Sequence, residues 1–212
     1  DESVITLTAG TYSFISAADV DVTWGGSALP RITTPVVING NGATIERAAG
    51  SAQFRLLRAV SGGALTLNDV TVTGGSSDNG GGILSMAAAL RVNNSTISGN
   101  TATYGGGILG NAEMTVTNST ISGNSATDGG GLYIYFATAT VTNSTISGNT
   151  ATYGGGLYPY FSTVTVANSI VWGNNSQFGG VTDTVTVSHS IIQGGFAGGT
   201  NIITDDPLFV AP

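Results

Sequence analysis

The sequence predicts an all-β protein folded as a single parallel β-helix, a solenoid with about 24–25 residues per coil and roughly seven or eight coils. Three observations predict this fold. A segment recurs every 24 or 25 residues, apolar and polar residues alternate within each copy, and 33 glycines among 212 residues separate short strands. One copy is too short to bury an apolar face alone, so we expect successive copies to stack into a common core.

The repeated segment reads Asn-Ser-Thr-Ile-Ser-Gly-Asn. It begins at Asn94, Asn118 and Asn143, and weaker copies begin at Asp69, Asn168 and His189. Before most copies, runs such as Met114–Thr117 alternate with the period of two that is typical of a half-buried strand. Each strand is therefore expected to pair with its equivalent one coil away, with one column filling the interior: Val72, Ile97, Ile121, Ile146, Val171 and Ile192.

Polar columns follow from the same register. We expect the first Asn of each copy to form a buried side-chain ladder with a spacing of about 4.8 Å. This predicted asparagine ladder consists of Asn94, Asn118, Asn143 and Asn168, and His189 extends it while keeping a hydrogen bond. A second Asn column, at 100, 124, 149 and 174, follows glycines for which a positive φ is expected.

Glycine triplets at 80–82, 105–107, 129–131 and 154–156 separate the copies and allow sharp turns without a clashing side chain. One β-helix domain is expected over 1–212. Residues 1–30 are expected to form an N-terminal coil or cap, 31–192 the coils, and 193–212 a closing segment.

The Gly-Gly-Gly-Ile/Leu segments, alternating with Ser-Gly-Asn-x-Ala, resemble the GGA(I/L/V) and FxxN repeats of chlamydial polymorphic outer-membrane proteins. They are still more similar to secreted CSLREA-type β-helix proteins of environmental bacteria. Ile5–Tyr12 and Val37–Ile45 resemble first coils of pectate-lyase-like proteins, and Asp206–Phe209 resembles a closing segment. The resemblance implies a right-handed helix, secretion and display on a bacterial cell surface.

The net charge of the chain excludes some classes of binding partner. Five arginines, no lysine and twelve acidic residues give a net charge of −7, which argues against nucleic acid. No apolar run is long enough for a membrane-spanning helix. Without cysteine, thiolate sites are excluded, and we expect no metal site and no cofactor. The short acidic pairs Asp19/Asp21 and Asp205/Asp206 could at most hold Ca²⁺ weakly.

Catalysis is expected to be absent, with one alternative. The acids Asp69, Glu113 and Asp183 occupy unrelated columns, which argues against a Ca²⁺-dependent polysaccharide lyase. Asp78 and Asp128 fall in the same turn two coils apart, about 10 Å, near the upper limit for an inverting glycosidase. The alternative interpretation is that both are solvated turn residues.

Exposed faces favour binding instead. With Leu132 and Ile134 inward, one strip should point outward as a partner- or glycan-binding surface: Tyr133, Tyr135, Phe136, Tyr158, Tyr160 and Phe161. A neighbouring wall carries threonines such as Thr115 and Thr140, which leaves an ice-binding module as an alternative. The open ends could stack head to tail into filaments.

The sequence thus predicts an extracellular structural or adhesive cell-surface protein, whose partner is a second copy or a surface glycan or protein. A polysaccharide-active hydrolase or lyase and a glycan- or ice-binding module remain the alternatives.

Overall fold

The computed structural model describes residues 2–21, 23–180 and 184–209, which form 23 strands and no helix. The described part of the chain therefore holds no helix long and apolar enough to cross a membrane. Every pairing between these strands is parallel, and partners come from successive copies of the repeat. The predicted all-β parallel β-helix is confirmed.

Each complete coil contributes one strand to each of four walls. The first wall contains β1 (Ser3–Thr6), β3 (Pro35–Arg47), β5 (Ala64–Thr73), β8 (Ala89–Asn93), β12 (Met114–Thr117), β16 (Thr138–Thr142), β20 (Thr163–Ala167) and β22 (Thr184–Ile192). The second contains β2 (Thr11–Phe14), β9 (Thr96–Ser98), β13 (Thr120–Ser122), β17 (Thr145–Ser147), β21 (Ile170–Trp172) and β23 (Thr200–Ile203). The long strands β3, β5 and β22 continue from the first wall into the second.

The third and fourth walls are shorter. The third contains β6 (Ser76–Asn79), β10 (Thr101–Tyr104), β14 (Ser125–Asp128) and β18 (Thr150–Tyr153). The fourth contains β4 (Leu57–Ala59), β7 (Ile83–Ser85), β11 (Ile108–Gly110), β15 (Leu132–Tyr135) and β19 (Leu157–Tyr160). Because the end coils lack strands on these two walls, the solenoid makes about six turns rather than the expected seven or eight.

The interior column is confirmed. Ile97 pairs with Ile121, Ile121 with Ile146, and Ile146 with Val171, and all are fully buried. Parallel pairing begins at Ser3 and continues to Ile203, so it extends into both segments that were expected to be end pieces.

The corner between the first and second walls overturns the predicted asparagine ladder. Its four members, Asn94, Asn118, Asn143 and Asn168, are exposed and have φ values of 49° to 52°. Asn tolerates this left-handed conformation better than most residues. The buried residue at this corner is the following serine, and Ser95 N donates to Ser119 Oγ at 3.1 Å. The first Asn therefore makes the turn and the next Ser forms a ladder.

The asparagine ladder lies at the next corner, between the second and third walls. Asn100, Asn124, Asn149 and Asn174 are buried, and Nδ2 of each of the first three donates to Oδ1 of the Asn in the following coil at 3.0 Å. Asn174 Nδ2 ends the ladder by donating to Gln177 Oε1 at 2.7 Å. The same Oδ1 atoms accept from backbone N–H groups, which leaves neither buried partner unsatisfied. The preceding glycines, such as Gly123 with φ +62°, adopt the expected left-handed turn.

The glycine triplets stack on one another between the third and fourth walls. A Cβ on Gly106 would lie 2.5 Å from the carbonyl oxygen of Ser125 and 2.6 Å from that of Gly130. Glycine is thus needed here because the backbone of the next coil lies against it, and the third and fourth walls meet at close range.

Candidate functional site

The outer face of the fourth wall carries a second apolar cluster, separate from the interior core. Leu84, Leu109 and Tyr133 occupy one column in β7, β11 and β15, and all three are buried. Their neighbours inward on the same strands, Leu132 and Ile134, belong to the core, so the predicted inside–outside assignment is confirmed. The side chains of this column point outward, yet they are buried, so other parts of the chain must pack over them.

Part of the cover is Trp24, which packs on this cluster from the N-terminal segment. Asp21 fixes the loop: its Oδ1 accepts from Thr23 N at 2.8 Å and Trp24 N at 3.1 Å, and its Oδ2 accepts from Arg58 Nη1 at 2.9 Å. The Arg58 guanidinium holds the pKa of the Asp21 carboxyl at about 2. Arg58 continues the outward column below Leu84, so the salt bridge anchors the Trp24 loop to the wall itself.

The buried Arg55 side chain supports the same loop. Its Nη2 donates to the Trp24 carbonyl oxygen and, at 2.7 Å, to Ser77 Oγ. Burial and the adjacent charge of Arg58 lower the pKa of Arg55 to about 10, so it stays cationic at neutral pH. Asp19 and Asp21 are both engaged by Arg31 and Arg58, which leaves this acidic pair facing arginines rather than open to Ca²⁺.

The aromatic patch is the part of the outer face beyond Trp24. It consists of the six residues predicted from the sequence: Tyr133, Tyr135, Phe136, Tyr158, Tyr160 and Phe161. The tyrosines form two stacked layers, because Tyr133 lies over Tyr158 with ring centroids 5.3 Å apart and Tyr135 over Tyr160 at 5.5 Å. Only Tyr133 is deeply covered, at 7% exposure, whereas Tyr135 is 36% exposed.

Phe136 and Phe161 form the outer rim of the aromatic patch. Their rings stack at 5.1 Å with planes 6° apart, and Phe136 is 58% exposed. Both have φ near 50°, a conformation that costs a non-glycine residue about 1 kcal/mol or more. Ala87, at the equivalent corner, has φ 55°, so the left-handed conformation belongs to the turn. The exposure of two aromatic rings at this turn is what favours an interaction role.

A groove of about 420 Å³ lies where the Trp24 loop meets the aromatic patch. Its aliphatic and indole lining comes from Trp24, Met86 and Leu109, and Tyr133, Tyr135 and Tyr160 of the aromatic patch line it as well. The polar positions come from the third wall: Asn79, Tyr104 and Asp128.

Among the residues that the structure describes, Asp128 is the one charged residue that lines the groove. It is half-buried, and burial raises the pKa of its carboxyl above the ordinary value. None of the ion pairs among the described residues involves it. Burial of the Tyr133 phenol, together with the nearby charge of Asp128, raises the pKa of Tyr133. The groove therefore combines aromatic rings with a carboxylate that lacks a cationic partner.

A shorter turn interrupts the aromatic column on the N-terminal side of Phe136. The step from Gly110 to Met114 is one residue shorter than the equivalent step from Ile134 to Ala139. Asn111 compensates, since its Oδ1 accepts from Ala87 N at 2.5 Å. The shorter turn leaves a depression of about 600 Å³ beside Phe136, with Glu113 on its floor. Sequence reasoning missed both this gap and the Trp24 cover.

The predicted carboxylate pair is wrong. Tyr104 pairs with Asp128 on one side and with Asn79, not Asp78, on the other. Counting back from the glycine triplets gives this register directly, because Asn79, Tyr104 and Asp128 each immediately precede a triplet. Asp78 is exposed, one position away from the column, so the structure does not bring the two carboxylates together.

The remaining acids are dispersed. Asp69 takes a left-handed corner position, and Glu113 lies 3.8 Å from Arg91. Asp183 lies outside the described residues. Asp206 Oδ1 accepts from Leu208 N at 2.8 Å. No group of three acidic or histidine side chains within the described ranges could hold a metal ion.

Two other predicted features lie away from the groove. Thr115, Thr140, Thr165 and Thr186 share one column of the first wall, and the Thr117 and Thr142 hydroxyls are 3.3 Å apart. His189 lies in the corner column with φ 48°, and Asn201 continues that column one coil later with φ 53°. His189 Nε2 lies 2.8 Å from Asn201 Nδ2, so the imidazole keeps a hydrogen bond, but at an exposed corner and not in a buried ladder.

A family model described as "Right handed beta helix region" matches residues 35–207. No curated protein matches the chain.

Proposed function

Since the chain belongs to the right-handed β-helix family, we propose that it is a non-catalytic adhesive module, displayed outside a bacterial cell, that binds a glycan through the aromatic patch and groove. The fold itself is compatible with structural surface roles and with polysaccharide-related roles. We also propose that the chain is a β-helix protein of the secreted CSLREA or chlamydial polymorphic outer-membrane type. The repeated Gly-Gly-Gly and Ser-Gly-Asn segments support this assignment.

One observation carries the proposal. Aromatic side chains cover an outer face that the interior core does not use, and they border a groove of about 420 Å³. Tyrosines combine an apolar face with a hydroxyl, which suits the alternating C–H and O–H surface of a sugar ring. The position of Asn79 and Asp128 beside the rings adds hydrogen-bonding groups that would fix orientation.

A hydrolase would need a second carboxylate near Asp128. Asp78 is out of register, and the acids Asp19 and Asp21 are bound by arginines. A glycan held on this surface would therefore be retained rather than cleaved. Release of reducing ends from a bound glycan by the wild-type protein would contradict a non-catalytic role.

The test is binding to a panel of immobilised glycans by the wild type, Tyr135→Ser and the control Tyr12→Ser. Tyr12 lies in β2 on the second wall and does not line the groove, so it matches Tyr135 in chemistry but not in place. We expect retention on at least one glycan class, an affinity loss of about tenfold in Tyr135→Ser, and no change in Tyr12→Ser. Equal binding by all three proteins would reject the aromatic patch as the site.

Association of end coils is a separate proposal. It is supported by Val4 and Ile5 at one end and Ile203 at the other, which are apolar and exposed next to strand edges. Light scattering of the wild type and of Ile203→Lys tests it: concentration-dependent growth in mass should occur in the wild type and be lost in the variant.

A further inference from the structure

We propose that the groove recognises protonated amino groups, so that the glycan partner is an amino-sugar oligomer with free amines. This inference rests on the proposed glycan-binding function and specifies its ligand class. It follows from the groove's charge, the geometry of its rings and a second carboxylate beyond it.

Three accessible aromatic side chains line the groove as a site for a cation. Tyr104 is 40% exposed and Tyr135 is 36% exposed, and Trp24, which is partly buried, lines the groove with them. Tyr133 packs between Tyr104 and Tyr158 and contributes packing rather than an open face. An ammonium group over one of the accessible faces lies within the approximately 6 Å over which aromatic faces attract cations, and a tryptophan face attracts them most strongly.

Asp128 supplies the counter-charge. Its backbone pairs with that of Tyr104 on the next coil, which places the carboxylate beside the rings. Its burial disfavours the ionised form, and no arginine in the described residues pairs with it. A bound ammonium would provide the missing partner, with a charge-assisted hydrogen bond in a partly desolvated setting.

The second carboxylate favours an elongated ligand with repeated charges. Glu113 lines the depression beside Phe136 and Phe161, its side chain is 65% exposed, and its Oε1 forms an exposed ion pair with Arg91 Nη2 at 3.8 Å. The aromatic patch therefore has a carboxylate near each of two borders, Asp128 in the groove and Glu113 in the depression. A polymer of sugar rings with regularly spaced amines fits that arrangement better than a single small cation.

Charge at long range agrees with this ligand class. The chain carries a net charge of −7, and all five arginines precede residue 92. Glycans that contain carboxylates, sulfates or phosphates would meet an acidic surface with no cation in the groove, whereas a polycation would be attracted.

The test compares two oligomers that differ only at nitrogen: the β-1,4-linked tetramer of glucosamine and its fully N-acetylated counterpart. Calorimetric titrations use the wild type, Asp128→Asn, and Asp78→Asn. Asp78→Asn removes the same charge from an exposed position outside the groove, so it controls for non-specific attraction of a polycation.

We expect the free amine to bind the wild type at least about tenfold more tightly than the acetamide, a ratio near one in Asp128→Asn, and an unchanged ratio in Asp78→Asn. Equal or tighter binding of the acetylated oligomer would overturn the inference. If that binding still weakens in Tyr135→Ser, the proposed glycan-binding function survives. A ratio that falls equally in both Asn variants would reduce the preference to overall charge and also overturn the inference.

Discussion

The side-chain amide of Asn124 donates to Oδ1 of Asn149 at 3.0 Å, while the backbone N–H of Asn124 donates to the same oxygen at 3.0 Å. The amide oxygens of Asn124, Asn149 and Asn174 thus each satisfy two donors of the preceding coil inside a closed corner. The ladder fixes the register at which the third wall begins, and with it the positions of Tyr104 and Asp128.

Asn124→Ala should destabilise the protein by about 3 to 5 kcal/mol, because two buried donors of Asn100 lose their acceptor. The matched change Asn118→Ala should cost only about 1 kcal/mol, since that exposed residue merely adopts a left-handed turn. Urea unfolding measures both. Equal losses would contradict the assignment of the ladder to the second corner.

The sequence period and the alternation of Thr and Val predicted the parallel stack and the interior column correctly, because both depend on which face each side chain occupies. The two Asn columns could not be distinguished in this way. Asn is suitable both for a left-handed turn and for a ladder, and only the burial of Ser95 and Asn100 reveals which role each column takes.

The binding surface shows the same limit. Its six aromatic residues follow from strand alternation within single copies of the repeat. The cover by Trp24 does not, because Asp21 and Arg58 are 37 residues apart and belong to the least repetitive part of the chain. The turn at Asn111 is one residue shorter than its equivalents, and the sequence shows this as a spacing of 24 rather than 25 residues. That the shorter turn leaves a depression beside Phe136 could be seen only from the strand pairing in the structure.

Gly106→Ala should cost about 3 kcal/mol or more, because the new methyl would overlap backbone carbonyl oxygens of the next coil. Gly123→Ala is the control. A Cβ on Gly123 would lie 4.0 Å from its nearest neighbour, Gly99 N, so the expected cost is only that of a positive φ, about 1–2 kcal/mol. Thermal unfolding followed by circular dichroism compares them. A smaller loss at Gly106 than at Gly123 would contradict close stacking of the glycine triplets.

Tyr133→Ser and Tyr135→Ser should separate folding from binding. Tyr133 is enclosed between Leu109, Tyr104 and Tyr158, so its truncation should cost about 3 kcal/mol. Tyr135 is more exposed, and its truncation should cost less than about 1 kcal/mol. Chemical denaturation checks this order, and a reversed order would show that Tyr133 is not covered.

The Trp24 loop should loosen in acid. The pKa of Asp21 is about 2 in the folded protein, below its ordinary value of 3.8. Because the folded protein holds the ionised form more strongly, the stabilisation that Asp21 gives is present above about pH 4 and is lost as the pH falls toward 2. Arg58, Arg31 and Asp19 are the charged groups facing it. In a Trp172→Phe background, Trp24 fluorescence should shift to the red over this range.

Asp21→Asn in the same background should show the red-shifted emission already at pH 7, whereas Asp78→Asn should leave the spectrum unchanged. Emission that stays constant from pH 5 to pH 2 in the parent, together with a normal spectrum for Asp21→Asn, would show that the salt bridge does not hold the loop.

The most direct measurement is nuclear magnetic resonance of the aromatic side chains during titration with the tightest-binding glycan of the panel. Shifts at Trp24, Tyr104 and Tyr135 should saturate together, while Tyr12 stays unaffected. Saturating shifts confined to the threonine column of the first wall or to the end coils, with the groove resonances unchanged, would contradict the proposed binding surface.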